Sequence, residues 1–185
     1  MKKTCFLAVF CFAISCADIA TQSTANPASV EVSFAFNRQS GTSSNQYAVW
    51  VEDSRGNFVK TLFATKYTAN GGWARRAQSI PIWVSKSGLS TLEKKDIDVF
   101  TGATPRTGTV NYRWDGKDKN GTPLTSGEYR VFLEATLRGE NRVLYSALVT
   151  LGSGSSVEAE VRAEYFGSDT RERNMIENVK VVYRR

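Results

Sequence analysis

The sequence predicts an all-β protein, an antiparallel β-sandwich of about eight strands. Three observations carry that expectation. Apolar and polar residues alternate with period two in several short segments. Turn-forming residues recur every ten or so positions. No long amphipathic helical pattern interrupts them.

The first residues stand apart from this pattern. Lys2 and Lys3 precede an uncharged apolar run from Cys5 to Ser15, and small residues follow. That order of charge, grease and small residues is expected of a secretory leader, and the run is too short to span a bilayer. Two processing routes compete. Ala13-Ile14-Ser15-Cys16 resembles a loose lipobox in which Cys16 would be lipidated, with Ala13 where a leucine is usual. Cleavage after Ala17 or Ala25, each ending a small-x-small triplet, is the other. The lipoprotein route is preferred, which would make the mature protein periplasmic and membrane-anchored. Residues 1–25 are accordingly assigned to leader and tether, and residues 26–185 to one β-sandwich domain.

Along the mature chain, Thr21 to Ala28 is a polar tether. Val30, Val32, Phe34 and Phe36 alternate with polar or small residues as a half-buried strand. Tyr47 to Glu52 is apolar on both faces, as a central strand requires. Asp53 to Asn57 turns the chain into a third strand, Phe58 to Thr65. Lys66 to Trp73 is irregular, broken by Asn70-Gly71-Gly72. Ile80 to Val84 fits either a short strand or a helical turn, because Pro81 suits both. Val110 to Trp114 is a strand. Tyr129, Val131, Leu133, Ala135 and Leu137 form the apolar face of the longest one, with Arg130, Glu134 and Arg138 on the polar face. Val143 to Leu151 pairs with it. Val157 to Tyr165 alternates with four charged residues, and Ile176 to Tyr183 is the last strand.

Composition excludes much chemistry. The 185 residues contain no histidine, so Ser-His catalysis and histidine-bound metals are ruled out. All three cysteines, Cys5, Cys11 and Cys16, lie in the leader, which leaves no disulfide or thiolate nucleophile in the mature chain. No phosphate-cradling glycine loop is present. The formal charge of +6, or +5 after loss of Lys2, Lys3 and Asp18, comes from dispersed basic residues, and nucleic acid is not an expected partner. No independent catalytic activity is expected.

Trp114-Asp115-Gly116-Lys117-Asp118-Lys119-Asn120-Gly121 offers oxygen ligands, but a calcium loop aligned on Gly121 has Gly116 and Gly127 where essential ligands belong. Side chains capping a tight turn explain it better. With Ser126-Gly127-x-Tyr129, this stretch resembles the immunoglobulin-like domain of flagellar hook-capping proteins. The fold class is therefore refined to an antiparallel immunoglobulin-like β-sandwich.

Asp98-x-x-Thr101-Gly102-Ala103-Thr104 resembles the acceptor motif of bacterial flavin transferases. The resemblance implies transfer of FMN from FAD to the Thr104 hydroxyl as a phosphoester, with Asp98, Thr101, Gly102 and Ala103 as recognition positions. A threonine hydroxyl is a poor nucleophile, so the external enzyme must activate it. The chain needs only an exposed, slender loop, which Gly102 and Ala103 would provide. Ala48-Val49-Trp50-Val51-Glu52-Asp53, Phe58 to Leu62, Thr101 to Thr104, Trp114 to Asp118 and Gly127 to Ala135 together resemble a family of predicted periplasmic proteins sharing domain of unknown function 2271. Members are often found beside flavin transferases and membrane flavoproteins. These resemblances imply an exported protein of an extracytoplasmic flavin-dependent electron-transfer system, partnered by a flavin transferase and membrane redox proteins. The alternative is a non-redox immunoglobulin-like module that docks through a sheet edge.

Overall fold

The computed structural model describes residues 28–40 and 44–185. The expected leader, with Cys16, lies outside the described residues. Among the described residues, ten strands form two facing sheets. In chain order they are β1 (Ser29–Phe36), β2 (Gln46–Asp53), β3 (Phe58–Thr65), β4 (Thr101–Gly102), β5 (Gly108–Trp114), β6 (Gly127–Thr136), β7 (Arg142–Leu151), β8 (Val157–Ala159), β9 (Val161–Phe166) and β10 (Ile176–Arg184). One sheet has the order β5-β1-β10-β8, and the other the order β4-β3-β2-β6-β7-β9. All pairings are antiparallel except β3 with β4, which makes the larger sheet mixed. The two strands beyond the expected eight are the short ones, β4 and β8.

The alternating residues meet between the sheets. Val30, Val32, Phe34 and Phe36 from β1 pack with Tyr47, Val49 and Val51 from β2, and with Val131, Leu133 and Val181 from β6 and β10. Burial of this apolar surface is the main source of stability. At one end Trp114 stands edge-on to Tyr129, with ring centroids 5.2 Å apart. The Tyr129 hydroxyl donates to the Thr125 carbonyl at 3.0 Å, tying the start of β6 to the turn before it. That turn is built as its side chains predict. One Asp118 carboxylate oxygen accepts from the Asn120 and Thr122 amides at 2.8 Å each, and Gly116 and Gly121 adopt φ of 71° and 82°.

A second apolar cluster lies on the outer face of the larger sheet. Short helices cover it: a single turn α1 (Trp73–Arg75) after the Thr68–Gly72 turn, then α2 (Pro81–Ser87) and α3 (Lys94–Phe100). Ile80, Trp83, Leu89 and Ile97 pack there on Ala48, Trp50 and Ala64. This explains why β2 is apolar on both faces. It also corrects the face assignment of β6, because Glu134, expected on a polar face, is fully buried beneath α2.

Glu134 decides how α2 begins. Ile80 has φ of 42°, a left-handed conformation that a β-branched residue rarely adopts. Pro81 follows as the first helical residue, where a missing N–H matters little. The next two amides, from Ile82 and Trp83, donate to the Glu134 carboxylate at 3.3 and 2.8 Å. The Ile80 amide donates to Thr136 Oγ1 at 2.8 Å. A strand side chain thus caps the helix in place of a local one.

The segment after Leu151 also differs from expectation. Val157 to Tyr165 is not one strand. The alternation itself continues through Glu160, but the pairing does not: there the chain leaves the smaller sheet and joins the larger one.

Candidate functional site

The residues from Asp98 to Thr104 are not a simple loop. Asp98 lies exposed in the last turn of α3. Thr101 and Gly102 then form β4, which runs parallel to β3 with Thr101 opposite Ala64 and Gly102 opposite Thr65. Ala103 is exposed, and Thr104 is half-buried in the loop that follows. The motif therefore occupies one continuous corner, from helix end through edge strand to loop.

Gly102 has a packing reason of its own. A Cβ at this position would lie 2.6 Å from Cε2 of the Phe63 ring, so only glycine lets β4 approach β3. Phe63 in turn stacks on Tyr112 at 4.9 Å, and the Tyr112 and Tyr47 hydroxyls are 2.6 Å apart. Burial raises both phenol pKa values, so both stay protonated at neutral pH. The corner is mounted on a packed aromatic column.

Beyond β4, the β1–β2 connection supports the loop. The Arg38 amide donates to Thr107 Oγ1 at 3.0 Å, and Arg38 Nη1 reaches the Thr104 carbonyl at 3.4 Å. Asn45 and Gln39 hold that connection with two reciprocal bonds of 2.8 Å. The contact to Thr104 uses its carbonyl, and its hydroxyl has no hydrogen bond to a basic group among the described residues. Among the described residues, no group of His, Cys, Asp or Glu could hold a metal ion.

The residues present suit attachment of a group by an external enzyme. The hydroxyl is on a loop between Ala103 and Pro105, two residues after Gly102. A cleft of about 460 Å³ with mixed polar and apolar lining opens between the Thr68–Gly72 turn and the first part of α3, and none of residues 98–104 lines it. Trp73, Leu92, Lys94 and Ile97 contribute to it. Sequence patterns did not single these residues out, because they converge only through tertiary packing. The available signal was Trp73, an aromatic in an otherwise polar, glycine-rich stretch.

A sandwich with a helical layer on one sheet, and a slender helix-to-edge corner, is the class these features define. The chain belongs to the family described as "Predicted periplasmic protein (DUF2271)", whose model matches residues 28–166. No curated protein matches the chain. No solved structure matches it. No helix among the described residues is long and apolar enough to cross a membrane.

Proposed function

We propose that this protein is an exported carrier of flavin for electron transfer outside the cytoplasm, with FMN attached covalently to Thr104. One observation carries the reading: a half-buried threonine, in a loop, at the end of a corner that holds Asp98, Thr101, Gly102 and Ala103 in the acceptor order. In the attachment step the Thr104 hydroxyl oxygen bonds to the FMN-side phosphorus of FAD. The pyrophosphate P–O bond breaks, AMP leaves, and the hydroxyl proton passes to a base of the flavin transferase. Nothing is oxidised or reduced in this step. The attached flavin would supply reversible one- and two-electron chemistry. The chain's own part is to present the hydroxyl, to hold the corner rigid through Phe63 and Arg38, and to shield one side of the attached group. Cys16 would tether the carrier to the membrane if lipidated, near membrane redox partners.

The docking alternative needs an open sheet edge. The edges are β4 and β9 in the larger sheet and β5 and β8 in the smaller; β4 and β8 are two and three residues long, β9 carries Arg162 and Glu164, and β5 carries Arg113, features that oppose addition of another strand. The carrier reading is therefore preferred.

Co-expression with a flavin transferase, followed by intact-mass and visible-absorption measurements, tests it. The expected result is a gain of one FMN less one water and a yellow protein, both lost in Thr104→Ala. A colourless, unshifted mature protein would overturn it.

A further inference from the structure

We infer that the cleft between the Thr68–Gly72 turn and α3 is a flavin site, seating the ring system of a flavin carried on Thr104. The inference rests on the attachment reading above. Three features point to the cleft.

The first is position. β4 is parallel to β3, so both chains leave the pair at the same end. From Thr65 the chain enters the turn that forms one cleft wall at Ala69 and Asn70. From Gly102, Thr104 lies two residues on, at most about 7 Å away in an extended chain. A phosphate and five-carbon ribityl arm adds roughly 10 Å more when extended. A ring tethered at Thr104 is thus delivered to this end of the sheet. The other cleft beside α3, of about 240 Å³, is lined by Val99 and Phe100, which precede β4, and by Phe58, Lys60 and Thr61 from the opposite end of β3, away from the end at which Thr104 leaves.

The second is shape and lining. The cleft volume of about 460 Å³ falls within the range of small-molecule sites. Half-buried Trp73 offers a flat indole for stacking, while buried Ile97 and half-buried Leu92 form an apolar wall. A flavin ring is flat, apolar at its dimethylbenzene end and polar at its pyrimidine end.

The third is charge. Lys94, exposed at the start of α3, lines the cleft and forms no ion pair with any described residue. A cation there complements the negative charge that reduction places on the pyrimidine end, and so favours the reduced form.

The test uses the protein loaded by co-expression with a flavin transferase. In the wild type the indole should quench flavin emission. Trp73→Leu should raise it several-fold with the adduct mass unchanged. Lys94→Gln, an exposed and structurally mild change, should lower the flavin midpoint potential. Val99→Ser, on the other side of α3, should change neither. Adduct present with emission and potential unmoved by Trp73→Leu and Lys94→Gln overturns the seat while leaving attachment standing. A response to Val99→Ser alone also overturns it. If no adduct forms, attachment fails, and titration of the unmodified protein with free FMN decides the cleft. Binding abolished by Trp73→Leu upholds it as a flavin site, and absence of binding overturns it.

Discussion

Glu134 illustrates how a residue's protonation follows from its packing. Burial pushes its carboxyl up to about 7, against the opposing pull of the Trp83 and Ile82 amides and of Arg142, whose Nε lies 3.8 Å away. The folded state therefore holds a proton that the unfolded chain releases at lower pH. Stability should fall as pH rises from about 4.5 to about 7, and level off above that. The size is on the order of 3 kcal/mol, since each tenfold difference in proton affinity between the two states is worth about 1.4 kcal/mol. Urea midpoints at pH 5, 6 and 7 should show this slope in the wild type and a flatter one in Glu134→Gln. An equal slope in both would assign the effect elsewhere. At Gly102 the prediction is steric. Gly102→Ala should cost about 1–3 kcal/mol through overpacking against Phe63, and Phe63→Leu should recover part of it. Thermal unfolding of the single and double variants measures both.

At the scale of elements, the helical layer depends on side chains from the sheet. α2 is seven residues long, too short to be stable alone. Its start is held by Glu134 and by Thr136, and its centre by Trp83, whose Nε1 donates to Thr61 Oγ1 at 3.0 Å. Thr136→Val would leave the buried Ile80 amide unpaired beside a strained residue. We expect a loss of about 1–3 kcal/mol. Hydrogen exchange should show that loss first in α2, with β6 affected less. Equal loosening of the two would contradict the capping role. The sequence made the long strands legible because alternation is a local signal. α3 was not legible: in Lys94–Phe100 only Ile97 is buried, so no apolar stripe announces a helix. β4 was hidden for a different reason. It is two residues long and exists only because β3 lies beside it. The motif at Asp98 was visible as letters, whereas the cleft between the Thr68–Gly72 turn and α3 depends on contacts between distant segments.

For the whole molecule, the last strand matters more than the family match indicates. The match ends at residue 166, yet β10 lies inside the smaller sheet between β1 and β8. Met175, Ile176, Val181 and Tyr183 from this region are buried in the main core. A chain ending at Phe166 should therefore lose its cooperative unfolding transition, because β1 would lose a partner strand and the core one wall. Circular dichroism during thermal unfolding checks this, and a truncated chain that still melts sharply would show β10 to be dispensable. Its β1-facing edge pairs from Ser29 to Phe36, so the first and last strands close the sandwich together. The same closure fixes the corner at Thr104, since the β1–β2 connection reaches it through Arg38.

The proposed carrier role requires a flavin bonded at one particular residue. Tandem mass spectrometry of proteolytic peptides, from protein co-expressed with a flavin transferase, locates the bond. The expected result is an FMN phosphoester on Thr104, with Thr101 and Thr107 unmodified. An FMN-bearing peptide from elsewhere in the chain, or none at all, would contradict it.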